Sequence, residues 1–96
     1  MHVILWRFRA RPDLEPEFEA TYGDDGEWAR FFRAGAGYVG TELMRGSDGI
    51  YLTIDRWVSE EAYRAFRAEE TARFAELDAR CGALTIEESF LGAVDV

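Results

Sequence analysis

Residues 38–58 read YVGTELMRGSDGIYLTIDRWV, Tyr38 to Val58. Two runs rich in β-branched and aromatic side chains flank Gly46-Ser47-Asp48-Gly49. That composition predicts strands, and Asp-Gly between such runs is a strong hairpin signal. The expected strands are Tyr38–Arg45 and Ile50–Val58. Successive side chains of a strand point to opposite faces. In the second run Ile50, Leu52 and Ile54 therefore share one face, and Tyr51, Thr53, Asp55 and Trp57 share the other. A half-solvated antiparallel sheet shows one clean polar face. This strand shows none.

On the N-terminal side, His2–Arg11 is a third strand that stops at Pro12. Its Ile4, Trp6 and Phe8 lie opposite Val3, Leu5, Arg7 and Arg9, again with apolar residues on both faces. Asp13 is placed to cap a helix with Pro16 in its first turn, and Leu14, Phe18 and Tyr22 form its apolar stripe. Gly23-Asp24-Asp25-Gly26 interrupts it. A short helix over Glu27–Arg33 turns Trp28, Phe31 and Phe32 inward and ends at Gly35-Ala36-Gly37.

On the C-terminal side, Ser59 is a helix cap with Glu60 and Glu61 in the first turn, where the helix dipole favours negative charge. Tyr63, Phe66, Phe74 and Leu77 keep helical spacing to Cys81, with a bend expected near Glu69–Thr71. Gly82 stops the helix and Ala83–Val96 supplies the last strand. The order strand, helix, strand, strand, helix, strand is the split βαβ pattern of ferredoxin-like α+β domains, with the helices on one face of an antiparallel sheet.

A chain of 96 residues is one domain, residues 1–96. At 48% hydrophobic and 15% aromatic it has ample core material, more aromatic surface than a small monomer usually hides. Helices cover only one side of such a sheet. The simplest cover for the other is a second copy of the chain, so a homodimer is expected. The net charge of −8 argues against nucleic-acid binding, which rests on neutralising phosphates. No run matches a signal peptide or a membrane span, and the expected compartment is the cytoplasm. Cys81 is the single cysteine, so no internal disulfide is possible. With one His and one Cys, no metal site is expected. Neither is a phosphate-binding glycine loop.

The stretch Tyr51-Leu52-Thr53-Ile54-Asp55-Arg56-Trp57, followed by Ser59-Glu60-Glu61-Ala62-Tyr63-Arg64-Ala65-Phe66, resembles the antibiotic biosynthesis monooxygenase family. So does Gly37-Tyr38-Val39-Gly40-Thr41-Glu42-Leu43 ahead of the hairpin. The resemblance implies a dimeric α+β barrel of two packed sheets, each subunit keeping a pocket between its own sheet and helices. It also implies a monooxygenase that uses molecular oxygen without metal, flavin or haem on an aromatic, polyketide-like phenol. The family's pocket Trp and Tyr fall on Trp57 and Tyr63, which become the candidate catalytic residues. Its Asn falls on Thr53, a single hydroxyl where an amide would both donate and accept. The family's haem-degrading branch needs a histidine on the second long helix, and Tyr63–Cys81 has none.

Thr53, Phe66 and Arg7 are the candidate substrate-binding residues. Each candidate also has a plainer reading. Trp57 and Tyr63 can be core aromatics, and Arg7 and Arg9 can pair with carboxylates such as Asp55 or Glu42. His2 has a pKa suited to acid–base work but lies beside a terminus expected to be mobile. Two functions stay open: the cofactor-independent oxygenase, and a non-catalytic domain that binds or senses a small hydrophobic ligand.

Overall fold

The computed structural model describes residues 1–96. Four strands, β1 (His2–Ala10), β2 (Tyr38–Arg45), β3 (Ile50–Trp57) and β4 (Thr85–Asp95), form one antiparallel sheet in the order β2-β3-β1-β4. Helices α1 (Glu15–Tyr22), α2 (Glu27–Phe32), α3 (Glu60–Glu69) and α4 (Thr71–Cys81) fill the two crossovers. This is the ferredoxin-like arrangement, and no helix is long and apolar enough to cross a membrane.

The hairpin turn has the chemistry its sequence announces. Asp48 (φ 56°) and Gly49 (φ 75°) both take positive φ, and Ile50 N–H donates to Ser47 C=O at 3.1 Å. Positive φ at both central residues matches the right-handed twist of the flanking strands. At the other end of the molecule Ser59 Oγ accepts from Ala62 N–H at 3.1 Å and caps α3. The expected bend is a break. Glu70 (φ −112°, ψ 27°) separates α3 from α4, and Thr71 Oγ1 donates to the Arg67 carbonyl at 2.8 Å.

Two local expectations are corrected. Asp13 caps nothing: Pro12–Leu14 forms a 3₁₀ turn, and α1 starts after it with no side-chain cap. The N-terminus is held, because the Met1 amine donates to Val96 C=O at 2.6 Å and β1 pairs with β4 from His2 onward. His2 is consequently buried, 4% exposed, with Nδ1 3.0 Å from Asp95 Oδ1.

The parity of β1 and β3 decides where the core sits. Ile4 and Phe8 of β1, with Tyr51, Thr53 and Trp57 of β3, are buried beneath the helices. Phe18 and Tyr22 of α1, Trp28, Phe31 and Phe32 of α2, and Phe66 of α3 pack onto them. Phe18 and Tyr22 stack at 4.3 Å, and Tyr51 donates to Glu15 and Glu19. The reverse face carries Val3, Leu5, Leu52 and Ile54, half-buried, and exposed Met44 and Val94. Around them lie Arg7, Arg9, Arg56, Glu42 and Glu87.

Candidate functional site

Between the helix-side face of the sheet and the helices lies a cavity of about 240 Å³. Its floor is Ile4, Trp6 and Phe8 of β1 with Thr53 and Asp55 of β3 and Thr41 of β2. Its walls are Tyr22 of α1, Trp28 and Phe32 of α2, Tyr63 and Arg67 of α3, and Phe74 and Asp78 of α4, with Glu88 of β4 at one side. Alternation on the strands explains this set. Thr41, Thr53 and Asp55 share the face of Ile4 and Phe8, because Asp55 pairs with Ile4 and with Thr41 across the sheet.

The polar groups in this aromatic shell are few and differ in state. Thr41 Oγ1 donates to Asp55 Oδ1 at 2.7 Å, and Tyr38 Oη lies 2.6 Å from the same Thr41 oxygen. Thr41 has one proton, and it goes to the carboxylate, so Tyr38 is the donor to Thr41. Burial pushes the Asp55 carboxyl up to about 6, against the opposing pull of the Thr41 hydroxyl. Asp55 takes part in no ion pair within 4.0 Å. Burial also raises Glu88, Tyr22 and Tyr38. On α3, Arg67 donates to Tyr63 Oη at 2.9 Å, and its guanidinium lies 3.7 Å over the Phe74 ring. The Trp28 indole N–H is buried without an acceptor.

Among the residues singled out from sequence, Thr53 and Tyr63 line the cavity. Trp57 is fully buried just behind it, edge-on to Tyr63 at 5.5 Å, with its own N–H lacking an acceptor. Phe66 is buried against Trp57 at 5.2 Å and against the cavity-wall Phe32 at 5.8 Å, and does not itself line the cavity. Arg7 is a correction. It has the parity of Leu5, lies on the reverse face and approaches Glu87 at 3.6 Å. Arg56 pairs with Glu42 at 2.8 Å, and Asp55 is free of arginine. Sequence reading overlooked Thr41, Asp55, Arg67 and Trp28. The parity of Asp55 with Thr53 was the available signal for one of them.

The sequence pattern of the family described as antibiotic biosynthesis monooxygenase matches residues 1–76. The chain belongs to that family. Solved structures agree with the family fold. SnoaB, a cofactor-independent oxygenase from Streptomyces nogalater, superposes in a mutant form with a TM-score of 0.77 at 24% identity, covering 99% of this chain and 91% of that one. Rv0793 from Mycobacterium tuberculosis gives 0.68 at 22% identity, covering 99% of this chain and 96% of that one. A mutant of MhuD, solved with two manganese protoporphyrin IX bound per active site, gives 0.69 at 23% identity over 100% of this chain and 94% of that one. No curated protein matches by sequence. At these identities the likeness establishes the antibiotic biosynthesis monooxygenase fold, on which this chain builds its own set of polar groups.

Proposed function

We propose that this protein is a cofactor-independent monooxygenase acting on an aromatic, polyketide-like phenol or anthrone. The observation that carries the reading is the cavity: a compact space walled by Trp6, Phe8, Tyr22, Trp28, Phe32, Tyr63 and Phe74, with a few polar groups turned inward. Family membership supports the same chemistry. Flat aromatic walls suit a flat aromatic ligand, and a small number of placed polar groups sets its orientation. An anthrone needs no external reductant. Its methylene becomes a carbonyl with loss of four electrons, one oxygen atom of O₂ enters the product, and the other leaves as water. The protein has to bind the substrate, favour its anion and exclude water.

In this reading Tyr63, oriented by Arg67, hydrogen-bonds a substrate oxygen, and Thr53 lies beneath the rings. Trp57 backs Tyr63 and keeps its ring in position. Oxygen-electrode assays with anthrone test this. The expected result is enzyme-dependent O₂ uptake that falls roughly 10-fold or more in Tyr63→Phe and in Trp57→Phe. Full rates in both variants would remove these assignments.

Thr53 at the family's Asn position favours a second reading, a non-catalytic domain that binds or senses a small hydrophobic ligand. Native mass spectrometry separates the two. A retained ligand in a protein that consumes no oxygen with any anthrone supports the second.

We further propose a homodimer joined through the reverse sheet face, where Val3, Leu5, Leu52 and Ile54 form an apolar centre within a charged rim. The cytoplasm is the proposed compartment, where a free thiol such as Cys81 stays reduced.

A further inference from the structure

We propose that Asp55 is the general base of this pocket, the carboxylate that takes the proton whose loss turns an anthrone-type substrate into the anion that O₂ oxidises. The inference rests on the oxygenase reading for its substrate class, and on geometry for its residue. Asp55 sits in the middle of β3 with its side chain in the cavity floor, between Ile4 of β1 and Thr41 of β2. It receives a single hydrogen bond, from Thr41. A carboxylate has about four acceptor sites. Asp55 therefore keeps lone pairs for a proton brought in by a ligand.

The surroundings make it a base rather than a structural anchor. The family of groups around the cavity supplies no cation to it. Arg67 of α3 is engaged with Tyr63 and Phe74, and His2 of β1 is held by Asp95. The other titratable groups of the cavity are Tyr22 of α1, Tyr63 of α3, Asp78 of α4 and Glu88 of β4, and none of them is a cation. Tyr38 reaches Asp55 only through Thr41. Of the three cavity carboxylates, Asp78 and Glu88 are exposed and Asp55 is not. An amide would accept the Thr41 proton equally well without the cost of a buried charge. A carboxylate here destabilises the fold, and proton removal is what only the carboxylate provides. With its carboxyl raised to about 6, Asp55 is ionised at neutral pH and still basic enough to act.

The step balances without further partners. The methylene C–H bond breaks and its proton passes to an Asp55 carboxylate oxygen. The electron pair moves into the ring and onto the ketone oxygen as an enolate. O₂ then takes four electrons from the substrate, and the proton held by Asp55 ends in the water released. Thr41 and Tyr38 are positioning residues: they fix which carboxylate oxygen faces the ligand.

Proton removal can be read without oxygen. Full-length protein is mixed with anthrone in D₂O under argon, and loss of the methylene proton signal is followed by NMR across pH 5–8. The wild type is expected to accelerate exchange, and Asp55→Asn to lose that acceleration by about 100-fold or more. Thr41→Val, which removes the hydrogen bond to the charged form, is expected to move the midpoint of the pH profile upward. Wild-type exchange in Asp55→Asn overturns the proposal, as does a wild type that does not accelerate exchange. If Asp55→Asn fails to fold, Thr41→Val decides, and an unmoved midpoint overturns it. In air the two readings part. Exchange without O₂ uptake keeps the base and sinks the oxygenase. O₂ uptake that survives Asp55→Asn keeps the oxygenase and sinks the base.

Discussion

At the scale of the residue, Asp55 is a carboxyl group held by burial above its ordinary range. An acid held above its ordinary range binds more protons folded than unfolded across the interval between the two values, here from 3.8 to about 6. Stability therefore falls as pH rises through that interval and then stays level, at a cost of at most about 3 kcal/mol. Partial exposure to the cavity mouth reduces it. The expected outcome is that Asp55→Asn flattens this part of the stability profile and raises Tm at pH 7. Calorimetry of both proteins between pH 4 and 7 checks it, and a lower Tm for the variant at pH 7 would contradict the environment described. Trp57 is the counterpart on the apolar side. It is fully buried among Phe32, Tyr38, Tyr63 and Phe66, so Trp57→Ala is expected to cost about 3–5 kcal/mol. Any loss of activity in Trp57 variants has to be measured alongside stability for that reason.

At the scale of the element, the passage from β3 into α3 sets the position of Tyr63. Ser59 caps the helix, and Val58 N–H donates to Gly37 C=O at 2.7 Å. Gly37 has φ 92°, and a β-carbon there would meet Val58 Cγ2 at 2.7 Å and Ala62 Cβ at 2.9 Å. Gly37→Ala thus combines a disfavoured backbone with a clash against the first turn of α3. The expected loss is about 2 kcal/mol, or a Tm drop on the order of 8 °C or more. Ser59→Ala is expected to cost about 1 kcal/mol, since it leaves one helix N–H unsatisfied. Thermal melts of the two variants test the ranking. A Gly37→Ala protein as stable as the wild type would mean that the turn can relax away from α3.

At the scale of the whole molecule, the sheet is apolar on both sides and the helices cover one. Val3, Leu5, Leu52 and Ile54 on the reverse side are half-buried in the isolated chain. Pairing two such faces removes them from water at about 25 cal/mol per Å². Leu5→Glu would place a charge at the centre of that contact while leaving the cavity on the other face untouched. Sedimentation velocity is expected to show a dimer for the wild type and a monomer for Leu5→Glu. A monomeric wild type excludes the pairing.

The elements were legible from sequence wherever a local cause acts. The Asp48-Gly49 turn, the Ser59 cap, the interruption at Glu70 and the strand parities all follow from short-range sterics, hydrogen bonding and the period of two. Asp13 misled because capping depends on the exact entry of the chain, and the 3₁₀ turn at Pro12–Leu14 displaced it. The site was legible only in part. Thr53, Trp57 and Tyr63 came from resemblance; Thr53 and Tyr63 line the cavity, and Trp57 backs Tyr63. Arg7 could be given its parity from sequence but not its face, since both faces of β1 are apolar enough to be core.

Local sequence by itself determined the strands, the helices, their stops and the order that makes the split βαβ domain, because each depends on forces acting within a few residues. Tertiary structure alone decided which face of the sheet meets the helices. That single choice puts Asp55 in the cavity and Arg7 outside it, and the difference lies in how four helices pack over the sheet, an energy summed over contacts far apart in the chain.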